Sequence, residues 1–302
     1  MSRIAVICAP GIGDALILQI AAHQLRMHGF HVTTFSNHLP GFGNWFQGCS
    51  FARQPQLNQI EESLQEFDAV FLQHDNTPKA RKIHSLPRPV YTFYGSHVVS
   101  KHGPLRLGYD FVCDQDRTMV QNVRAAVKAL FRLEDAGDEN GMKPPAGLVH
   151  RKHPKRVAIH PTSADPEKNW SRAKFLAVAK WLKEEGYEPA FTLPSAERLE
   201  WGGPELSTLE DLASFIYESG FFIGNDSGPG HIASCLKIPH LIIGRDEKQM
   251  RFWRPGWHLG EIASPPAWLP NWKGARLRET HWKKFITTKG VINKLKENVL
   301  KN

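Results

Sequence analysis

The stretch FFIGNDSGPGHIA, residues 221–233, joins an apolar, strand-like run to the start of a helical pattern. An ordinary turn from strand to helix needs one capping residue and a glycine. This turn instead holds amide, carboxylate, hydroxyl, imidazole, glycine and proline positions in succession: Asn225, Asp226, Ser227, Gly228, Pro229, Gly230 and His231. A simple N-cap explains Asp226 or Ser227 but not the whole set. We therefore expect a turn that binds a ligand.

Anion binding is the chemistry that this turn favours. The first backbone N–H groups of a helix lack partners inside the helix, and the helix dipole places positive charge beside them. Gly228 and Gly230 let a phosphate approach the backbone closely, and Pro229 suits a first turn that needs no N–H. Open parallel sheets bind ligands beyond the carboxyl ends of their strands, which is where this turn lies.

Strand-like and helix-like runs alternate along both halves of the chain. The strand-like runs are RIAVICAP (3–10), HVTTFS (31–36), FDAVFLQ (67–73), PVYTFY (89–94), RVAIHP (156–161), YEPAFTLP (187–194), FFIG (221–224) and IPHLIIG (238–244). Alternation of this kind is typical of doubly wound parallel sheets, so the fold class is predicted to be α/β. Between the two halves, residues 134–154 are rich in Gly, Pro and charge and predict an interdomain linker.

The chain has 302 residues, a net charge of +8 and a pI of about 9.3. This charge favours an anionic partner. Residues 273–301 are strongly basic and lie beside several tryptophans. This pattern is typical of a surface that binds a membrane or nucleic acid, but a solvated helix with a few packed tryptophans would show it equally well. No nucleic-acid motif is present, so we expect no nucleic-acid partner. The N-terminus resembles a strand rather than a signal peptide and no apolar run suits a membrane helix, so we expect a cytoplasmic protein.

Metal and disulfide chemistry find little support in the sequence. The four cysteines are far apart, and the fifteen histidines form no H-E-x-x-H cluster. We therefore expect neither a metal site nor a disulfide framework.

Two further segments carry candidate chemistry. HPTSADPEKNW (160–170) offers Thr162, Ser163 and Lys168 after a strand, although a lysine before a helix is usually only solvated. APGIGDALIL (9–18) is similar to a dinucleotide fingerprint but has Leu16 where the third glycine would stand. Its Asp14 is either a general base or an acid favoured by the helix dipole.

Three segments together resemble glycosyltransferase family 9, the ADP-heptose:lipopolysaccharide heptosyltransferases. FFIGNDSGPGHIASCLKIP (221–239) resembles the nucleotide-sugar motif of this family. VAIHPTSADPEKNWSRAKFLAVAKWL (157–182) resembles its strand–loop–Lys-x-Trp–helix segment, and IAVICAPGIGDALIL (4–18) its N-terminal Gly-Asp segment.

The resemblance implies a GT-B architecture of two Rossmann-like doubly wound domains that face a cleft. It implies an acceptor-binding domain at residues 1–150, a nucleotide-sugar-binding domain at 151–285, and a C-terminal helix at 286–302 that packs back on the first domain. The reaction implied is inverting, metal-independent and without a cofactor. A sugar, expected to be heptose from ADP-heptose, passes to a lipopolysaccharide core or a related lipid-linked, anionic acceptor. The enzyme would lie on the cytoplasmic face of the inner membrane.

The resemblance also implies roles for individual residues. Asp14 would deprotonate the acceptor hydroxyl, and Lys168 would hold the departing diphosphate. Donor contacts are expected from Thr162, Ser163, Glu197, Asn225, Asp226, Ser227, Gly228, Pro229, Gly230 and His231. Acceptor contacts are expected from Gly11, Gly13, Arg81 and Lys82, with Arg88 and Lys101 as further candidates.

Two departures from the family pattern affect the donor. The segment SAERLEWGGPELS (195–207) is short, so the acid that contacts the nucleoside is assigned to Glu197, with Glu200 as the alternative. The segment IIGRDEKQMRFWRPGW (242–257) replaces a phenylalanine-glycine-x-threonine stretch, and Arg245 could alter selection of the sugar or base. A sugar-nucleotide epimerase and an inactive nucleotide-sugar-binding protein remain alternative functions.

Overall fold

The computed structural model describes residues 2–253, 256–258, 260–271 and 276–299. The chain divides into two compact units, residues 1–143 and 144–302. Each unit is an α/β layer structure built on its own parallel sheet, which confirms the predicted fold class.

The first unit contains a six-stranded parallel sheet in the order β3-β2-β1-β4-β5-β6. Its strands are β1 (Arg3–Ile7), β2 (His31–Phe35), β3 (Ser50–Ala52), β4 (Ala69–His74), β5 (Val90–Tyr94) and β6 (Asp110–Val112). The sequence predicts β1, β2, β4 and β5. The edge strands β3 and β6 escape prediction because three residues are too few to display a periodic pattern.

The helices of the first unit cover the sheet. They are α1 (Ile12–Met27), α2 (Ile60–Leu64), α3 (Pro78–His84), α4 (Val99–His102) and α5 (Met119–Phe131), with 3-10 turns at Leu39–Trp45 and Leu57–Gln59. Helix α1 is buried along nearly its whole length, because it packs on both the sheet and α5. Thr118 caps α5 in a capping box with Gln121.

The predicted linker begins as part of the first unit. The Gln24 side chain on α1 donates to the Glu139 carbonyl at 3.3 Å and accepts from the Gly137 N–H at 3.0 Å. The buried Asn140 amide donates to the Leu16 carbonyl at 3.1 Å. Residues 136–140 are therefore fixed against α1, and the connection between the units comes later than the composition suggests.

The second unit contains a five-stranded parallel sheet in the order β11-β10-β9-β7-β8. Its strands are β7 (His153–His160), β8 (Glu188–Phe191), β9 (Ser219–Asn225), β10 (His240–Ile243) and β11 (Glu261–Ala263). Its helices are α6 (Arg172–Glu184), α7 (Ser195–Trp201), α8 (Leu209–Tyr217), α9 (Gly228–Cys235), α10 (Glu247–Trp253), α11 (Leu277–Thr280), α12 (Trp282–Phe285) and α13 (Thr288–Lys294), followed by a π turn at Leu295–Val299.

The C-terminal helix contributes to the core of the second unit. Ile286, Val291 and Leu295 are buried in the same apolar cluster as Phe175 of α6. The Trp170 indole donates to the Ile286 carbonyl at 3.0 Å. The sequence predicted packing of residues 286–302 on the first domain, whereas these contacts lie within the second unit because the helix presents an apolar face to α6. Residues 300–302 lie outside the described part of the chain.

The basic, tryptophan-bearing C-terminal surface is only partly described. Trp282, one of its predicted tryptophans, is buried in the core of the second unit, whereas Trp268 is 76% exposed. Arg254, Trp272, Lys273 and Lys301 lie outside the described residues. Among the described residues, no helix combines the length and the apolar character that crossing a membrane requires.

Candidate active site

The predicted donor residues lie at or beyond the carboxyl ends of strands in the second sheet. The loop at 161–170 follows β7, the turn at 226–227 follows β9, and α7 follows β8. Because the strands are parallel, these segments emerge at one edge of the sheet.

Asn225 joins two of these segments. This last residue of β9 is fully buried, and its side-chain oxygen accepts from the Trp170 N–H at 2.9 Å. Its side-chain nitrogen donates to the Pro161 carbonyl at 2.5 Å. Asn225 therefore holds the start and the end of the 161–170 loop. Both ends of its side-chain amide bind protein groups, so its contacts are structural.

Asn225→Ala is expected to destabilise the second unit. The substitution leaves the buried Trp170 N–H and Pro161 carbonyl without their side-chain partner, which costs roughly 1–3 kcal/mol for each group. Urea unfolding would measure the loss. Ser163→Ala is a control from the same loop, because Ser163 is less buried and its bonds are local. An Asn225→Ala protein as stable as wild type would contradict the bridging role.

Lys168 and Asp226 approach each other at this edge. The Lys168 ammonium lies 3.6 Å from the Asp226 carboxylate, and both side chains are partly exposed. Lys168 ends a short 3-10 turn, Pro166–Lys168, that Asp165 caps through the Glu167 N–H. Asp226 directly follows β9, and its N–H donates to the Ile243 carbonyl of β10. The Lys168 cation of the 161–170 loop therefore lies beside the polar turn that follows β9.

Helix α9 begins at the polar turn. Ser227 is its N-cap residue in an extended conformation, and no side chain caps the helix there. Gly228 and Pro229 occupy the first turn and are partly exposed, as a ligand-facing start requires. Gly230 is buried, and a Cβ on it would lie 2.7 Å from Cδ1 of Ile242 on β10. Gly230 therefore permits close packing of α9 on the sheet.

His231 lies buried in the first turn of α9. Burial lowers its pKa to about 4, against the opposing effect of Asp226, and Lys168 adds to the lowering. Its Nδ1 is buried and has no hydrogen-bond partner among the described residues. His231 is therefore neutral at pH 7, with an unused ring nitrogen near the Lys168–Asp226 pair.

The remaining predicted donor residues lie around this centre. Thr162 and Ser163 are partly exposed in the loop after β7. The Ser163 hydroxyl lies 2.7 Å from both the Asp165 carbonyl and Oδ1 of Asn169, so it shapes the loop that carries Lys168. Glu197 is partly exposed in the first turn of α7, and none of the described contacts joins it to Lys168 or Asp226.

Small cavities adjoin the Lys168–Asp226 pair. One is lined by Lys168 and Asp226 together with Gly244, Arg245 and Asp246, which follow β10. Another is lined by Asp226, Ser227 and His231. Asp246 was not predicted as a lining residue, although its position after the neighbouring strand is a signal that could have found it. A wider cavity of about 410 Å³ lies beside β11 and is lined by Glu247, Arg251, Ser264 and Lys294, among others.

In the first unit, Asp14 occupies the first turn of α1, beyond the carboxyl end of β1. Its Oδ1 accepts from Nε2 of Gln73 at 2.7 Å. Gln73 is buried near the end of β4, and its Oε1 accepts from the Ala9 N–H at 3.1 Å. Gln73 thereby fixes both the loop before α1 and the carboxylate. Sequence reasoning missed Gln73, although it is a polar residue near the end of the strand that pairs with β1.

Gly11 makes room for the Asp14 carboxylate. A Cβ at Gly11 would lie 2.5 Å from Oδ2 of Asp14. Gly13 is buried inside the first turn. The thiol of Cys8 lies nearby, and burial together with the Asp14 charge raises its pKa, so it stays protonated. The two glycines are thus needed by the local structure around Asp14.

Of the predicted basic acceptor residues, Arg81 and Lys82 lie on α3, after β4, and Lys101 lies on α4. The Arg81 guanidinium donates to the Asn76 carbonyl at 3.0 Å and remains exposed. Lys82 points to α2, where its ammonium lies 3.1 Å from the Glu61 carboxylate. Arg88 is used structurally, because it donates to the Leu64 and Phe67 carbonyls. Arg81 is the member of this set whose contact and exposure best suit an anionic ligand.

Across the residues that the structure describes, no group of three or more His, Cys, Asp or Glu side chains is arranged to hold a metal ion.

Comparison with known proteins identifies a related family. The model of glycosyltransferase family 9 (heptosyltransferase) matches residues 118–256. This segment contains the predicted motifs at 157–182 and 221–239, while the Gly-Asp segment at 4–18 lies outside it. Lipopolysaccharide heptosyltransferase 3 of Escherichia coli (strain K12) is 32% identical over 114 residues, which are 33% of this chain and 33% of that protein. The match therefore spans about a third of the curated relative.

Solved structures share the fold along the whole chain. The glycosyl transferase family 9 protein of Veillonella parvula has a TM-score of 0.71 at 18% identity, covering 100% of this chain and 98% of its own. The E. coli ADP-heptose LPS heptosyltransferase II has a TM-score of 0.67 at 15% identity and covers 99% of both chains. These likenesses confirm the GT-B fold. The family model over residues 118–256 and these shared folds confirm the resemblance to glycosyltransferase family 9 (heptosyltransferase).

Proposed function

We propose that the chain is an inverting glycosyltransferase that transfers a sugar, heptose from ADP-heptose, onto a lipopolysaccharide core or a related glycan. The observation that carries the proposal is the second unit's arrangement of Lys168, Asp226 and His231 at the start of α9. The names of the related proteins, which include an ADP-heptose LPS heptosyltransferase, support the choice of donor and acceptor.

The donor diphosphate is assigned to the start of α9. Glycosyl transfer passes through an oxocarbenium-like state while negative charge grows on the leaving group. Lys168 supplies a cation, and the N–H groups of the first helical turn supply oriented donors, so the developing charge is met without reorganisation. The unused, neutral imidazole of His231 can donate one further hydrogen bond. In this proposal these groups carry out the role that a metal ion has in other transferases.

Asp226 has a different task from the diphosphate contacts predicted around it. A carboxylate repels phosphate oxygens, so Asp226 is unsuited to touch them directly. Its 3.6 Å approach to the Lys168 ammonium instead supports a role in aiming that cation before the donor arrives. When a diphosphate binds, Lys168 faces anions on two sides, and Asp226 is left to accept from sugar hydroxyls.

The acceptor hydroxyl is assigned to Asp14. A carboxylate within hydrogen-bond reach of a hydroxyl can take its proton as the oxygen attacks the anomeric carbon. Gln73 orients the carboxylate through Oδ1, and Gly11, which has no Cβ, leaves space beside Oδ2. Attack on the face opposite the leaving diphosphate inverts the anomeric configuration in a single displacement. The reaction therefore needs no nucleophile of the protein that bonds covalently to the sugar.

The acceptor is proposed to be anionic and lipid-linked, in line with the net charge of +8 and the exposed Arg81. An acceptor of this kind places the enzyme on the cytoplasmic face of the inner membrane. Residues Gly11, Gly13, Arg81 and Lys82 remain the predicted acceptor contacts.

A thermal-shift panel of ADP, UDP, GDP, CMP and NAD tests the donor assignment. A ligand that binds only the folded state stabilises it by about 2.7 kcal/mol at one hundred times its dissociation constant, so ADP is expected to raise the melting temperature. A shift by UDP or GDP alone would retain the fold and reject ADP-heptose. A folded protein that responds to no nucleotide would reject the diphosphate site.

Incubation with ADP-heptose, with and without acceptor, separates the competing functions. The proposed transferase releases ADP in an acceptor-dependent manner, which mass spectrometry detects. An epimerase would isomerise the donor without any acceptor, and an inactive binding protein would leave the donor unchanged in both reactions. Either of these results would overturn the proposed function.

A further inference from the structure

The connection between β5 and β6 is apolar and cationic where a surface loop is usually polar. It reads SHVVSKHGPLRLGY over residues 96–109 and contains α4. Lys101 and Arg106 are its charged residues besides the histidines, and it contains neither Asp nor Glu. We refer to it as the 96–109 loop.

The apolar side chains of this loop face solvent. Leu107 is 100% exposed, Val99 67%, Leu105 52% and Val98 45%. Single exposed apolar residues are common on proteins, but several along one short connection are not. Such a set marks a surface that meets a partner.

One arginine of the loop faces inward. Arg106 lies between the two outward leucines, and its guanidinium donates to the Val90 carbonyl at 2.9 Å and the Thr92 hydroxyl at 3.0 Å. It also pairs with the Asp110 carboxylate at 2.7 Å, and that carboxylate is 2% exposed. Arg106 is fixed by these bonds, while Leu105 and Leu107 on either side of it are exposed.

The other end of the loop is anchored as well. His102 accepts from the Val98 N–H through Nδ1 at 2.9 Å, so its Nε2 carries the proton and donates to Oδ1 of Asn76 at 2.5 Å. Its ring also packs on buried Tyr94 with centroids 5.2 Å apart. Side-chain contacts therefore hold the 96–109 loop near both of its ends, and its apolar side chains remain exposed between them.

Two exposed cations lie in or beside the loop. Lys101 is exposed within it, and Arg81 is exposed on α3, where it binds the carbonyl of Asn76, the residue that holds His102. The acid at the base of the loop, Asp110, is neutralised by Arg106. Apolar side chains with cations beside them match a bilayer whose head groups are anionic. A second copy of this surface would set cations against cations, which disfavours self-association.

We propose that the 96–109 loop is a membrane-docking surface that inserts Val99, Leu105 and Leu107 among the head groups of an anionic bilayer, with Lys101 and Arg81 against lipid phosphates. The proposal rests on the proposed function for its purpose, which is to bring the enzyme to a bilayer that holds the lipid-linked acceptor. It places the membrane contact in the first unit, in addition to the basic C-terminal surface predicted from sequence.

Vesicle co-sedimentation of the full chain tests this surface. The probes are vesicles of phosphatidylcholine and vesicles of phosphatidylcholine mixed with phosphatidylglycerol. Wild type is expected to bind the mixed vesicles, and Leu105→Ser with Leu107→Ser to lower the partition coefficient by about tenfold for each leucine. Lys101→Glu should weaken binding to the mixed vesicles in a salt-dependent manner. Met27→Ser with Leu57→Ser, exposed apolar residues elsewhere in the first unit, is the matched control and should bind as wild type does.

The outcomes separate this inference from the proposed function. Equal binding by the leucine variant, the control variant and wild type would overturn the docking surface, whatever the ADP panel shows. Leucine-dependent self-association in sedimentation equilibrium, without vesicle binding, would overturn it in favour of a second copy. Loss of vesicle binding with an unchanged ADP shift would support it, because the fold and the donor site are then intact. If the protein binds vesicles but ADP does not raise its melting temperature, the docking surface would be supported and the proposed transferase function would be rejected.

Discussion

Asp14→Asn is expected to lower the rate of sugar transfer by about 10²–10⁴-fold, the usual contribution of a positioned general base. Asparagine keeps the size of the side chain and an oxygen for Gln73, so the local structure survives, but it cannot accept the acceptor's proton. The proposed donor contacts lie in the second unit, so the ADP-induced thermal shift should remain at the wild-type value. Acceptor-dependent ADP release, measured at saturating donor, gives the rate.

Glu66→Gln is the matched control for the Asp14 variant. Glu66 is an exposed carboxylate of the same unit that pairs with Arg3 at the beginning of β1, at the opposite edge of the sheet from Asp14. Its neutralisation should leave transfer unchanged. If Asp14→Asn retained a wild-type rate, Asp14 would only be an acid that the helix dipole favours. Another residue would then have to be the general base.

Lys168→Ala is expected to lower the catalytic efficiency by about 10²–10³-fold, the loss typical for one preorganised group that stabilises developing charge. The variant should also bind ADP more weakly, because the cation meets the diphosphate in the ground state as well. Asp226 then lies beside the anionic donor without its partner, which increases the loss. Initial rates over a range of donor concentrations would separate the effects on kcat and KM.

Lys180→Ala is the control for Lys168, since Lys180 is an exposed lysine on α6 that pairs only locally with Glu184 among its described contacts. An NMR titration of His231 adds a readout without turnover. Lys168 contributes to lowering the pKa of His231, so its removal should raise that pKa from about 4. A Lys168→Ala enzyme with normal efficiency would show that the leaving group is stabilised by other groups.

The fold was largely predictable because its longer elements obey simple patterns. The apolar runs of β1, β4 and β9 and the helical spacing of α1 are visible in the sequence. The edge strands β3, β6 and β11 were not predictable, because each is three residues long. Their pairing depends on a neighbour that lies far along the chain, which local patterns cannot reveal.

The site was predictable where chemistry is concentrated in one segment. Lys168, Asp226 and His231 were expected near each other because they follow parallel strands, and the structure places them so. Gln73 was not expected, because a lone glutamine in a buried strand carries no motif; its role appears only when β4 pairs with β1. The catalytic and binding roles themselves stay predictions until the variants are measured.

The attachment of residues 136–140 to α1 determines where the coding sequence can be divided. A first half that stops at residue 133, where composition begins to suggest a linker, would lose the bonds that Asn140 makes to the Leu16 carbonyl and that residues 137 and 139 make to the Gln24 side chain. A first half that stops at residue 143 keeps those bonds and begins the second half at Pro144. Separate expression of the halves, for crystallisation or isotope labelling, should therefore follow the hydrogen bonds of Asn140 rather than the glycine and proline content around it.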